Sequence, residues 1–296
     1  MNIIIILEPI GISLEECQKQ LPDHHVTEVD SRSWTDEQVI QTAKHAEIIM
    51  ITNRLLPAKI IENLPLLKFI SVAFTGIDQI DASNVRERKI TVKNASGYAK
   101  TAVAELVMGF MIALARNIVT NAQKIHHGAV TNVGTELRGK ILGIIGLGAI
   151  GNEVARLADA FGMQVLSHNR GSGTPLDEIF AKSDYVSIHV PLVEETRGLV
   201  NLQRLKQMKT TAFLINTARG PIIESAALRQ ALEEGIIAGA AVDVFDVEPP
   251  LPENYPLLGS PNLIATPHLG FNTEEAVQHK GRIALQNILE FLKQNP

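Results

Sequence analysis

Of the 296 residues only one is a cysteine, Cys17. A single thiol excludes an intrachain disulfide and a cysteine-based zinc site, and it fits a reducing compartment. Blocks of like charge are also missing: 27 basic residues face 32 acidic ones, net −5, and no five like charges follow one another. That balance excludes a nucleic-acid tract and a polybasic membrane patch, and leaves small molecules as the expected partners. No apolar stretch approaches the ~18 to 20 residues of a membrane span. The opening MNIIIILEPI has no basic flank, and its apolar run stops at Glu8 and Pro9, too soon for a signal-peptide core. A cytoplasmic chain with room for two domains is expected, since domains run roughly 100 to 200 residues.

What is present is a strand–helix rhythm. Short apolar runs at Ile3–Leu7, Ile48–Ile51, Phe69–Ala73 and Thr91–Val92 read as strands, and Leu14–Gln20, Thr35–Lys44 and Pro57–Asn63 as helices between them. Asp36 and Glu37 suit the positive end of the second helix, and Pro57 suits a first helical turn. The segment from Thr101 to Gly128 is apolar nearly all round between Ala102 and Ala115, so the helix expected there needs cover on every side, from its own domain or from a second subunit. His126 and His127 at its far end have no carboxylates at metal-ligand spacing and read as surface residues, so no metal site is expected.

The stretch GKILGIIGLGAIGNEVARLADAFGMQVLSHNR organises the chain. Ile141–Ile145 is a β-branched run, and Val154, Leu157, Ala158 and Phe161 keep a helical period. Between them Gly146, Gly148 and Gly151 stand in G-x-G-x-x-G spacing, enclosing Ala149 and Ile150. Strand, tight turn and helix in this order form a dinucleotide-binding unit. The first glycine permits the turn, the second admits a pyrophosphate, and the third lets helix and strand pack closely, so the helix N-terminus faces the phosphates. An acid about 20 residues on would take the ribose 2′-hydroxyl of NAD. Asn169 and Arg170 stand there instead, and an amide beside a guanidinium suits a 2′-phosphate, so NADP is the expected cofactor in preference to NAD.

Downstream the rhythm continues, with strands at Asp184–Val190, Thr211–Asn216, Gly239–Val242 and Leu263–Ala265 and helices at Leu202–Gln207 and Ser225–Glu233. In a parallel sheet ligands bind at the carboxyl ends of strands. Three loops there carry Arg219 (INTARG), Asp243 and Glu248 (VDVFDVEPP) and His268 (IATPHLG): a fixed cation, carboxylates and an imidazole able to bind an acid, polarise a carbonyl and move a proton.

GIIGLGAIG, SIHVPL, INTARG, AVDVFDVEPP and TPHLG, in this order and spacing, resemble the D-2-hydroxyacid dehydrogenase family over nearly the whole chain. The resemblance implies an α/β fold of two Rossmann-like, doubly wound domains with parallel sheets. A dinucleotide-binding domain, 95–270, would be inserted into a substrate-binding domain, 1–94 and 271–296, with the cleft between them. By position Arg219 resembles the arginine that grips the substrate, His268 the acid/base, and Glu248 the carboxylate that orients the imidazole and favours its protonated form. Asp243 matches the aspartate beside the nicotinamide, Pro191, Thr196 and Ala218 match cofactor-lining residues, and Thr75 and Gly76 match the loop whose amides meet the substrate carboxylate. Relatives build a dimer on the long apolar helix, so a homodimer is expected.

Two departures alter the pocket: Phe74 stands where many relatives have glycine, and no tryptophan occurs in 128–134. The chain ends soon after its last helix, so no C-terminal regulatory domain and no feedback control by an amino acid are expected. ITNRLL, AFTGID and SGYAKTAVAE look most like the branch that reduces hydroxypyruvate and glyoxylate. The implied activity is hydride transfer between NAD(P)H and a small 2-oxo acid, giving a D-2-hydroxy acid. The alternative is a nucleotide-sensing interaction protein on the same fold, and a relative acting on formate or phosphite is disfavoured by Glu248, where the formate branch has glutamine.

Overall fold

The computed structural model describes residues 2–124, 133–247 and 250–295. His126, His127 and Glu248 therefore lie outside the described residues. The chain divides into two compact units, Met1–Ala99 with Thr273–Pro296, and Lys100–Asn272.

In the first unit the chain runs β1 (Ile3–Ile6), α1 (Leu14–Gln20), β2 (His25–Glu28), α2 (Asp36–Ala43), β3 (Ile48–Ile51), α3 (Ala58–Glu62), β4 (Phe69–Val72), α4 (Ala82–Glu87) and β5 (Thr91–Asn94). The strands are all parallel, in the order β2-β1-β3-β4-β5. Every residue of β3 and β4 is buried, because helices cover both faces of the sheet. Successive side chains enter opposite layers: Ile49, Ile51 and Ile70 pack with Val39, Ile60 and Ile61, whereas Ile48, Met50 and Phe69 pack with Ala284, Leu285 and Ile288 of the last helix. Each fully buried isoleucine contributes about 2 kcal/mol.

The second unit runs α5 (Lys100–Ala115), α6 (Ile118–Lys124), β6 (Ile141–Ile145), α7 (Ala149–Ala160), β7 (Gln164–Asn169), β8 (Ser172–Gly173), α8 (Leu176–Lys182), β9 (Tyr185–Ile188), α9 (Leu202–Leu205), β10 (Phe213–Asn216), α10 (Ser225–Glu233), β11 (Gly239–Val242) and β12 (Leu263–Ala265). Its sheet has the order β12-β11-β10-β9-β6-β7-β8, parallel except for the β7–β8 hairpin. The order reverses between β6 and β9, which makes the gap beyond their carboxyl ends the switch point where such sheets take ligands. The final helix α11 (Glu274–Gln294) returns to the first unit, where Ser71 Oγ donates to the Ala284 carbonyl at 2.8 Å and Phe291 stacks on Phe69 at 4.5 Å.

The single helix expected from Thr101 to Gly128 is broken. Asn117 adopts a left-handed φ of 52°, which its short polar side chain tolerates, and the Ala115 carbonyl is taken by the Thr135 amide at 2.9 Å. The apolar character of α5 has a cause within its own unit, since Val107, Met108, Phe110, Met111 and Leu114 pack with Leu142, Ile144, Val154 and Ala158. Pro57 is the N-cap of α3, one residue before its first turn. None of the described helices is long and apolar enough to cross a membrane.

Candidate active site

The glycine turn follows β6 directly. Gly146 holds a φ of 102°, and a Cβ there would stand 2.6 Å from the His189 carbonyl. A Cβ on Gly151 would stand 2.0 Å from the Gly146 carbonyl, so the turn and α7 interlock only because both positions are glycine. Gly148 caps α7, and among the described residues nothing lies within 4 Å of the Cβ it lacks. Ala149 is exposed and Ile150 partly so, leaving the first turn of a twelve-residue helix open at its N-terminus. Asn152 Nδ2 donates to the Leu147 and Gly148 carbonyls, both at 2.9 Å, and holds the turn in place. The Thr217 hydroxyl, after β10 on the same sheet edge, is buried without a partner among the described residues. Unused amides, a missing side chain and an orphaned hydroxyl fit the pyrophosphate of a dinucleotide.

β7 ends at Asn169, which pairs with Ser172 across a two-residue hairpin of Arg170 and Gly171. Arg170 is exposed and pairs with Glu195 at 2.7 Å, an ion pair of about 1 kcal/mol at most in solvent. Glu195 belongs to the short turn after β9, where Thr196 Oγ1 donates to the Pro191 carbonyl at 2.7 Å, so these two expected cofactor residues meet. His189 opens that loop. Its Nε2 lies 2.8 Å from Ser187 Oγ, and burial pushes its pKa down to about 4, which keeps the ring neutral.

The loops after β10, β11 and β12 are bonded to one another in sheet order. Asn216, almost fully buried, accepts from the Ala218 amide at 3.0 Å and donates to the Arg219 carbonyl at 3.0 Å, fixing the loop that presents Arg219. Arg219 Nη1 donates to the Ala218 carbonyl at 2.8 Å. A Cβ on Gly220 would stand 1.9 Å from the Phe245 carbonyl carbon, so this loop lies against the one after β11. Asp243 then ties that loop to the next: its carboxylate accepts from Thr266 Oγ1 at 2.5 Å and from the Leu269 and Gly270 amides, both at 2.7 Å. The His268 amide donates to the Asp243 carbonyl at 2.9 Å. His268 itself has a left-handed φ of 57°, strained for a side-chain-bearing residue, and its ring meets Phe271 edge-on at 5.4 Å. Tyr255 bonds both Asp246 and Ser225, which anchors the chain just before Glu248.

Thr75 and Gly76 belong to the first unit, in the loop after β4. Asn94 Nδ2 donates to the Thr75 carbonyl at 2.6 Å. Phe74 packs against Tyr98 with ring centroids 5.9 Å apart, which holds its bulk in place beside Thr75.

Two features of the second unit were not legible in the motifs. Asp243 braces the His268 loop with bonds that span 23 to 27 residues of sequence, and His189 is a half-buried imidazole beside the glycine turn whose pKa desolvation pushes down. SIHVPL contains that histidine but carries no spacing that would single it out.

A glycine turn at the switch point of a mostly parallel seven-stranded sheet, with charged loops along the same edge, defines a Rossmann-type dinucleotide-binding protein. The profile of the "D-isomer specific 2-hydroxyacid dehydrogenase, NAD binding domain" family matches residues 108–270. The glyoxylate reductase of Thermofilum pendens is 37% identical, over 98% of this chain and 90% of its own. The hydroxypyruvate reductase of Thermotoga maritima is 35% identical over 94% of this chain and 95% of its own. The crystal structure of a glyoxylate reductase from Paecilomyes thermophila superposes with a TM-score of 0.86 at 28% identity, covering 98% of this chain and 94% of that one. The chain belongs to the D-isomer specific 2-hydroxyacid dehydrogenase family, a class of nicotinamide-dependent oxidoreductases.

Proposed function

We propose that the chain reduces small 2-oxo acids of the glyoxylate or hydroxypyruvate kind to D-2-hydroxy acids, with NADPH preferred to NADH. The observation that carries this reading is the Asp243 brace, which ties the His268 loop to the loop after β11, against which Gly220 of the Arg219 loop packs. The unit 100–272 holds the nucleotide at Gly146, Gly148, Ala149, Ile150 and Gly151, with Pro191, Thr196, Ala218 and Asp243 along the same edge. The unit formed by 1–99 and 273–296 supplies the Thr75 and Gly76 amides to the substrate carboxylate.

Bound nicotinamide supplies the hydride that reduces carbon 2. Arg219 grips the acid, because a planar guanidinium binds two oxygens at once, and it stabilises the negative charge that builds on the carbonyl oxygen. The protonated His268 delivers the proton that completes the hydroxyl, and Glu248 orients the ring for that transfer. Asn169 and Arg170 support NADPH, the guanidinium exchanging its exposed Glu195 partner for the 2′-phosphate.

Oxidation of NADPH and NADH, followed by absorbance against a panel of 2-oxo acids, tests the reading. Turnover with glyoxylate or hydroxypyruvate and a lower KM for NADPH are expected. Cofactor binding without turnover on any 2-oxo acid would instead favour the nucleotide-sensing alternative. The exposed Ile118 and Val119, beside the partly buried Leu106, Ile112 and Ala113, support a homodimer. Sedimentation at twice the 32.3 kDa chain mass is expected, and a monomer at micromolar concentration would refute it.

A further inference from the structure

The order β2-β1-β3-β4-β5 gives the first unit a switch point of its own, between β1 and β3. Three successive amides there, those of Thr52, Asn53 and Arg54, converge on one oxygen, Glu8 Oε2, at 2.8, 2.9 and 2.7 Å. Glu8 is 5% exposed and Lys280 of α11 is likewise 5% exposed. Burial lowers the pKa of Lys280 and the charge of Glu8 offsets part of that shift, so the two groups share one electrostatic environment. A nest of amides at a switch point is an anion site, and here the protein's own carboxylate fills it.

The ordered loop reaches further. Gln79 Nε2 donates to the Thr52 carbonyl at 3.0 Å, the Leu56 amide donates to the Gln79 carbonyl at 2.8 Å, and Leu56 bridges to Ile80. Gln79 ends the loop that begins with Thr75 and Gly76. One end of that loop is pinned by Asn94 and the other, through residues 52–56, by Glu8.

We infer that Glu8 is a positioning residue for the substrate loop: by filling the amide nest of Thr52–Arg54 it sets, through Gln79, the place of the Thr75 and Gly76 amides. This rests on the reading that those amides meet the substrate carboxylate. Glu8 touches no reacting atom, so its loss affects substrate capture rather than the chemical step.

The test is steady-state kinetics with glyoxylate, alongside NADPH titration, for Glu8→Ala, Glu8→Gln, Gln79→Ala and Thr75→Pro. Glu8→Ala should raise KM for the oxo acid about tenfold or more, with kcat at saturation and the Kd for NADPH within about threefold of wild type. Glu8→Gln, whose amide oxygen still accepts hydrogen bonds, should recover part of the loss. Gln79→Ala lies outside the core and should raise the same KM by several-fold. It decides the matter if Glu8→Ala does not fold. An unchanged KM in Gln79→Ala and in any folded Glu8→Ala, or a loss of NADPH affinity matching the rise in KM, overturns the inference. Thr75→Pro removes one amide N–H, so a raised KM there with unaffected Glu8 and Gln79 variants refutes this inference alone. An unchanged KM in Thr75→Pro refutes the substrate-loop reading and the inference with it.

Discussion

The two units carry the same device at the same place in their sheets and use it in opposite ways. In the second unit the switch point between β6 and β9 has a glycine turn, an α7 N-cap, Gly148, that offers no side-chain bond to the helix amides, and no described atom where a side chain on Gly148 would be. In the first unit the switch point between β1 and β3 has three amides directed at a carboxylate that the chain itself supplies. Backbone amides that converge at a strand's carboxyl end need an acceptor, and an anion satisfies several at once. When that acceptor is a ligand the sequence must keep the space clear with glycines, and when it is a side chain an ordinary loop suffices. The glycine motif is therefore conspicuous in one unit and absent from the other, although both are wound alike.

Three changes sharpen the contrast, in order of expected effect. His268→Ala should lower kcat by on the order of a thousandfold while NADPH still binds, because the proposed proton transfer lies in the loops after β10, β11 and β12 and the proposed cofactor grip in the glycine turn. Rapid-mixing turnover and cofactor titration on one preparation separate the two. Near wild-type turnover would remove His268 from the chemistry.

Next comes the pH dependence of stability. Burial holds the His189 pKa at about 4, below the value of about 6.5 for an unfolded histidine. Between those values the unfolded chain binds the extra proton, so the contribution is complete above about pH 6.5 and is lost as pH falls through about 4, by at most about 3 kcal/mol. Denaturant melts from neutral to acid pH should show this decline, and His189→Gln should flatten it. An equally steep decline in the variant would place the effect elsewhere.

The smallest effect concerns cofactor choice. Arg170→Ala should raise KM for NADPH about tenfold and leave that for NADH nearly unchanged, and Glu195→Gln should lower KM for NADPH by releasing the guanidinium. Equal changes for both cofactors would show that Arg170 does not read the 2′-phosphate.

Much of this was legible in the sequence where a local signal and the tertiary outcome coincide. Ile48–Ile51, Ser225–Glu233 and Gly239–Val242 form elements with the boundaries their apolar runs imply. Elsewhere the signal is weak for identifiable reasons. β2 is an edge strand of four residues with only Val26 buried, and α4 buries none of its residues and is started by the Asp81 cap, so neither displays an apolar period. The break after α5 depends on one asparagine in a left-handed conformation, which apolar periodicity does not encode. The positions of Arg219 and His268 followed from strand ends, whereas the supports of those loops, Asn216 and Asp243, act through bonds fixed only once the strands pair. Glu8 was legible only as the residue that ends an apolar run, because its partners lie 44 to 46 residues away.

The central claim is that one switch point takes the nucleotide and the other is closed by the protein. Fluorescence titration of NADPH into wild type, Gly151→Ala and Glu8→Gln tests it most directly. One site per chain is predicted in wild type and in Glu8→Gln, with binding weakened at least about a hundredfold in Gly151→Ala, where the new methyl would collide with the Gly146 carbonyl. Two sites per chain, or undiminished binding in a folded Gly151→Ala, would contradict the account.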